Sequence, residues 1–335
     1  MRNIKIIIIF LVLVLAIFFL SAYPAGNQEI KKTFPVKKLV KISTITGDCT
    51  VARGKEGEIK VHLRLDKPDK FFKPIIEEEP DSLLLREKTP GGEIARWQLF
   101  VPGNTGIVFT SATGNFSVKG LNSDISASSA AGKISAAGCR GNLEIKNAGG
   151  DVTVEDHQGD ADIKSISGDI RVKKLSGGAR IKALSGDIDA RELQGSFDLK
   201  AASGDVDIQE ANGRFTVVCV SGDIEADAVT IKGESLFKVV SGDIYIKLSK
   251  SIGCDLNLDS ASGKVALNYN GNPIKGYFEF RSRAELGKII SPFKFDKEEE
   301  IFEYGKKYLV KSFKREGAVP RIIIKTATGK AVLEK

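Results

Sequence analysis

The chain has 335 residues, 42% apolar and 28% charged, with 34 glycines against 10 prolines. That is ordinary for a folded protein and excludes a collagen-like or low-complexity chain. The formal net charge is +7, but basic residues are interleaved with acids, so nucleic acid is excluded as the expected partner.

The chain begins MRNIKIIIIFLVLVLAIFFLSAYPAG, where Arg2 and Lys5 precede an unbroken apolar run from Ile6 to Leu20. Charge, apolar core and then small residues is the plan of a secretory signal. The run also approaches the roughly 17–25 residues of a membrane span. Residues 1–22 are therefore read as a hydrophobic helix that is either a signal peptide or a membrane anchor. Basic residues ahead of the run keep the N-terminus inside. Everything after Tyr23 is then extracytoplasmic, membrane-anchored or secreted, in the periplasm or at the cell surface. Removing residues 1–22 takes away Arg2 and Lys5 and lowers the formal charge from +7 to +5. Residues 23–32 read as a linker. Lysines 31, 32, 37, 38 and 41 are either a solvated stretch or a contact for anionic headgroups or wall polymers.

Residues 33–105 are β-rich but irregular. "LVKISTITGDCTV" (39–51) carries one repeat-like unit, "EIKVHLRLDK" (58–67) alternates, and "RWQLFVPGNTG" holds Trp97. This region is read as N-terminal β coils and a cap.

Residues 106–275 hold a regular repeat. Glycine occupies positions 132, 141, 150, 159, 168, 177, 186, 195, 204, 213 and 222, a strict spacing of nine. Apolar residues fall two and four after the glycine, as in Ile170 and Val172 or Val206 and Ile208. Period two marks a short strand with one buried face. Nine is odd, so the chain must turn once per unit, and glycine tolerates the turn. Another apolar residue usually falls two before the next glycine, as at Ile166, Leu175, Leu184, Leu193 and Val220. "SGD" marks only alternate units (glycines 168, 186, 204, 222 and 242), so the true period is 18. The predicted fold is all-β: a parallel β-solenoid with 18-residue coils of two short strands, capped at both ends. A meander of antiparallel hairpins is the competing reading.

The period creates columns. Asp151, Asp169, Asp187, Asp205, Asp223 and Asp243 are expected to stack, as are Lys146, Lys164, Lys182, Lys200 and Lys238. Adjacent aspartates repel by roughly 1 kcal/mol in water, which the lysine column would offset across the turn. Serines 167, 185, 203, 221 and 241 would satisfy turn amides.

Three chemistries compete with a structural turn for "SGD". A calcium β-roll repeat also has period nine but carries more glycine. Here the alternate units replace Asp with Gly178, Ser196, Arg214 and Glu234, so paired carboxylates are missing. A serine nucleophile needs a nearby base. The two histidines are His62, on the polar face of a strand, and His157, before a repeat glycine. A glycoside-cleaving β-helix would break the repeat with clustered acids and long loops, and nothing breaks it between 132 and 232. The turn reading leaves no catalytic, cofactor-binding or metal residue to name.

Residues 276–335 read as an aromatic-rich C-terminal cap and closing strand. Nine aromatics crowd 276–317: Tyr277, Phe278, Phe280, Phe293, Phe295, Phe302, Tyr304, Tyr308 and Phe313. They either cover the open end of the stack or, beside Lys306, Lys307 and Lys311, form a glycan- or partner-binding face. "EEIFEYGKKYLVKSF" reads as a hairpin turning at Gly305. The four cysteines sit too many coils apart for disulfides and are expected to be free and buried.

The signature at 163–170, 181–188 and 199–206, apolar-Lys-x-x-Ser-Gly-Asp followed by Ile or Val, resembles the bacterial β-strand-repeat family DUF4097, whose members are labelled candidate adhesins. "VPGNTGIVFTSATGNFSVKGL" (101–121) and "IIIKTATGKAVL" are similar to it too, so the resemblance spans about 33–335. It implies the β-solenoid and cell-envelope association, with envelope stress or surface interaction among the roles, and it supplies no catalytic residues. The expected function is a non-enzymatic exported envelope protein, a scaffold or adhesin-like module. Its partners would be the membrane through residues 1–22 and a protein or glycan of the envelope. The alternative is a polysaccharide-binding or polysaccharide-cleaving β-helix.

Overall fold

The computed structural model describes residues 28–65, 72–88, 95–303 and 305–335. The hydrophobic segment 1–22, with its expected helix, lies outside them. Every regular element described is a β-strand. Among the described residues no helix is long and apolar enough to cross a membrane.

Strands stack in parallel at the predicted offset. Ile170 pairs with Ile188 and Ile181 with Leu199, an 18-residue step, and Ile188 continues to Val206. The antiparallel meander is thereby ruled out for the repeat. Two later steps lengthen, to 20 residues at Ser221↔Ser241 and to 21 at Ser241↔Ser262. Period-two apolar residues point inward and form one continuous core. Within it Phe197, Phe215 and Phe237 make a ladder, with successive ring centroids 5.6 and 5.9 Å apart. Offset rings in adjacent layers add packing energy beyond simple burial.

The corners differ from the sequence reading. Glycine does hold two per coil: Gly186 (φ 138°) and Gly195 (φ 144°) are in conformations that oppose a side chain. A Cβ on Gly195 would also lie 1.8 Å from the Gly177 carbonyl oxygen of the layer before. A further bend recurs at Asp156, Lys174, Glu192, Glu210 and Ala228, all left-handed with φ of 53–56°. These side chains share no chemistry, so no residue pattern advertised the bend.

Both ends depart from chain order. Leu39–Thr44 pairs with Ser82–Glu87 on one side and with Gly106–Ser111 on the other. Asp48–Arg53 likewise lies between Ala95–Val101 and Phe116–Lys119. The first coil is thus inserted under the second. At the other end, Arg321–Glu334 lies between the Leu256–Ser262 and Val265–Asn268 layer and the Gly276–Arg283 and Gly287–Ile290 layer. The closing strand is therefore not outermost. Antiparallel strands finish the edges: Pro74–Glu78, Glu58–Leu65 and Gln28–Pro35 at one end, and Lys306–Arg315 and Lys297–Glu303 at the other. The last two form the hairpin expected at Gly305.

One carboxylate staples the first end. Glu87 is 7% exposed. Its Oε2 accepts the backbone N–H groups of Ile45, Thr46 and Gly47 at 2.7, 3.2 and 3.2 Å, and its Oε1 accepts Trp97 Nε1 at 2.9 Å.

Candidate functional site

The SGD aspartates are acceptors for the stack itself. Asp169 Oδ1 accepts the backbone N–H of Asp187 (3.1 Å), Asp187 that of Asp205 (2.9 Å), and Asp205 that of Asp223 (2.8 Å). Asp223 serves Asp243, and Asp243 serves Lys264, both at 2.7 Å. Each corner carboxylate thus pairs an amide of the next layer that the strand ladder leaves over. This is where five equivalent motifs find one repeated structural use.

Two column assignments need correction. The lysines do not face the SGD aspartates of their own chain. Lys146 pairs with Glu144 (2.5 Å), Lys164 with Asp162 (3.1 Å) and Lys200 with Asp198 (3.1 Å), each two residues upstream on its own strand, because i and i+2 share a strand face. Among the described residues the exposed SGD serines make no side-chain hydrogen bond at the turn; at the first SGD corner the hydroxyl comes from Ser165, three residues before glycine, where the later corners carry Ala183, Ala201, Cys219 and Val239. Ser165 Oγ accepts the Gly168 N–H (3.0 Å), as Ser111 and Ser129 do for Gly114 and Gly132 (2.8 and 2.9 Å). In an inward-facing position the shorter reach to the turn wins.

The outward face of the strands carrying these lysines is the most featured surface. Along one margin runs an open groove of about 1140 Å³, crossing several layers from Lys38 to Arg214. Its polar lining includes Asn104, Asn142, Glu144, Asp162, Arg180 and Arg214. Arg180 stands 3.9 Å from both Asp162 and Asp198. The Glu144 carboxyl is held below the usual range by its Lys146 hydrogen bond, the opposite of the raised value a general acid needs. The groove presents hydrogen-bonding side chains from successive layers.

The histidines are brought together with none of this. His62 sits against Glu29 at the edge of the first cap (2.5 Å). His157 is 2% exposed, in a core position that Leu175 and Leu193 occupy in the next layers. Neither of its ring nitrogens has a partner, and burial lowers its pKa. Among the described residues no group of three His, Cys, Asp or Glu is placed to hold a metal ion. Cys49, Cys139 and Cys219 are buried and free, whereas Cys254 is partly exposed.

The aromatic cluster packs mainly inward. Phe278 stacks on Phe313 at 4.8 Å, and Phe280, Phe293 and Phe295 close around Phe313 at 5.9, 5.4 and 6.1 Å. Lys307 and Lys311 are tied to Glu300 and Glu298 (2.6 and 2.8 Å), and among the described rings Phe302 stands out at 75% exposed. The cluster closes the core.

Sequence reasoning missed one surface feature. The residues two before the SGD glycine are not core: Ile166, Leu184, Val220 and Val240 are about half exposed (52, 56, 50 and 48%), while Leu175 and Leu193 are buried. A period of 18 distinguishes the two sets, and alternate apolar letters alone do not.

Comparison with solved structures gives likenesses at low identity. A candidate cell adhesion protein from Clostridium sporogenes ATCC 15579 is 9% identical, with 92% of this chain and 99% of that chain covered and a TM-score of 0.20. A candidate adhesin from Parabacteroides distasonis ATCC 8503 is 15% identical, with 72% and 96% covered and a TM-score of 0.39. A candidate lipid binding protein from the same organism is 11% identical, with 92% and 97% covered and a TM-score of 0.38. No curated protein matches the chain. The family model Toastrack DUF4097 matches residues 101–212 and 192–283, which together span more than half of the sequence. With the SGD corners and stacked layers lying inside the matched region, this chain belongs to the Toastrack DUF4097 family.

Proposed function

We propose that this chain is a non-enzymatic interaction module of the cell envelope, exported and held there as a rigid β-stack that presents its outward face to a polymeric or protein partner. The observation that carries the reading is the use of the SGD motif. Its glycines make corners and its aspartates hold the next layer, so the repeated letters are consumed by architecture. The groove supports a linear partner, because its polar side chains recur at the layer spacing of about 4.8 Å. Envelope stress sensing belongs to the same reading, with partner occupancy as the signal.

The test is binding of the purified chain to isolated envelope polysaccharide and envelope protein fractions, with Arg180→Ala and Arg214→Ala as groove variants. Retention of a fraction by the native chain and its loss in the variants supports the proposal. Release of new reducing ends from the polysaccharide would replace it with a cleaving enzyme, and retention unchanged by both variants would move the partner off the groove.

A further inference from the structure

The corner that bears the exposed aliphatic residues has a distinctive cross-section. Its crest is the row Ala148, Ile166, Leu184, Ala202, Val220 and Val240, one residue per layer with no polar interruption. Contiguous exposed apolar surface of this kind marks contact sites. On one flank, two residues before the crest, stands the lysine row. On the other flank, three residues after it and around the corner, stands the SGD aspartate column. Among the described residues Lys182 and Lys238 have no ion-pair partner within the chain, and neither do Asp187, Asp205, Asp223 and Asp243, apart from the backbone N–H groups those carboxylates accept. The crest is thus bordered on one side by a lysine row that is unmatched at Lys182 and Lys238 and paired on its own strand at Lys146, Lys164 and Lys200, and on the other by an aspartate column unmatched from Asp187 to Asp243.

That polarity selects the occupant. A uniformly anionic surface would meet the lysines favourably and the aspartates unfavourably. A second copy of this corner satisfies both, in one orientation only. If two copies meet crest to crest about a two-fold axis parallel to the stack, the lysines of each lie opposite the aspartates of the other, layer by layer. If the axis is perpendicular to the stack, lysine faces lysine and aspartate faces aspartate. End-on association is opposed separately. The open edges Pro74–Glu78 and Lys297–Glu303 continue the same column of strands at opposite ends, and both are acidic, with Glu77 and Glu78 on one and Glu298, Glu299 and Glu300 on the other. Edge strands crowded with charged side chains, here acids ion-paired to Lys37, Arg86, Lys297, Lys307 and Lys311, resist pairing with another edge.

We propose that the crest is a self-association surface that pairs two copies of this chain side by side, parallel and in register. Six layers at about 4.8 Å and a width of about 10 Å give on the order of 300 Å² per copy, below the roughly 800 Å² per partner of a standard stable interface. The contact is accordingly weak in dilute solution and forms where copies are held at high local concentration. It is separate from the groove, and neither depends on the other.

The test is cross-linking of full-length variants that each add one exposed cysteine to the native four, Ile166→Cys, Leu184→Cys, Val220→Cys and Val240→Cys, with Arg191→Cys on another face and the unsubstituted chain with its partly exposed Cys254 as controls. A short bismaleimide reagent is applied to the chain concentrated in mild detergent and to the chain on vesicles of phosphatidylcholine and phosphatidylglycerol. In a parallel, in-register pair every crest cysteine meets its own equivalent, so all four variants give covalent dimer, while Arg191→Cys and the unsubstituted chain do not. Lys182→Glu combined with Lys238→Glu, or added salt, is expected to abolish most of that yield. An antiparallel pair brings only one position onto its own equivalent, so dimer at a single crest position overturns the proposal. So does dimer at no crest position, or equal dimer at Arg191→Cys. Dimer in detergent that vanishes on vesicles, with brominated lipid quenching a label at position 184, would give the crest to the bilayer and overturn the proposal too.

Discussion

Replacing His157 with leucine should make the protein more stable. His157 lies in a core column in which Leu175 and Leu193 follow it, and it is 2% exposed. A buried polar group without a hydrogen bond costs about 1–3 kcal/mol, and both ring nitrogens are without one. Leucine at 157 would match its neighbours and remove that cost, so His157→Leu is expected to gain about 1–3 kcal/mol at pH 8. A pH term adds to this. Desolvation lowers the folded-state pKa of His157, only partly opposed by the polar backbone around the ring and by the Asp160 charge. A histidine that resists charging when folded contributes no pH dependence above its unfolded value of about 6.5. Below that value the unfolded state takes up the proton first, and stability falls as pH falls towards the lowered folded pKa. The gap between variant and native chain should therefore widen below pH 6.5, by at most about 1.4 kcal/mol per pH unit. Urea unfolding midpoints of both proteins at pH 8 and pH 5, with slopes compared, measure it. The carboxylates contribute equally to both proteins and cancel. A variant less stable at pH 8, or a gap identical at the two pH values, would refute the reasoning.

Other perturbations probe the architecture. Gly195→Ala should cost about 3 kcal/mol or more, because its φ of 144° and the Gly177 oxygen 1.8 Å from the new Cβ both oppose it; soluble yield and urea midpoint report the loss. Glu87→Ala should cost about 3 kcal/mol or more by stripping three backbone amides and the Trp97 indole of one acceptor. Trp97 fluorescence should shift with it, and an unchanged emission maximum would count against the staple. Asp187→Ala should cost only about 1 kcal/mol, since water can reach the Asp205 amide it leaves. Asp187→Asn should cost less still, and a bound ion lost from the purified Ala variant by metal analysis would contradict the structural use of the motif.

Legibility in the sequence followed how local each cause was. The parallel layers were legible because a glycine every nine residues and the SGD mark every eighteen are direct consequences of stacking. The cap hairpin was legible from polar turn letters at Gly305 between two alternating runs. The left-handed bend at Lys174 and its equivalents was not, since Asp, Lys, Glu and Ala there answer to the backbone of the layer below. Glu87 looks like any acid ending a strand; only the fold brings it over Ile45 to Gly47, some forty residues earlier. On the outward face, the charged columns were found but their partners were misassigned, because same-strand neighbours two residues apart are closer than residues across a corner. The groove is a shape, and composition carries no signal for it.

The inserted coils at the two ends change how such a stack can grow and come apart. In a plain solenoid each new coil lands on the one before, and the last coil is the first to peel. Here the layer of Gly276–Arg283, though it can pair with Lys306–Arg315, has no place on the stack until Arg321–Glu334 has settled against Leu256–Ser262. The body therefore cannot be finished during synthesis coil by coil: the layer of 265–268 stays an open edge, and the segment from residue 276 onward must wait for the closing strand. Once closed, the ordering works in reverse. Pulling on either inserted strand shears it against two neighbours at once, as it would for a repeat in the middle of the stack, so neither strand is an outermost layer free to peel first.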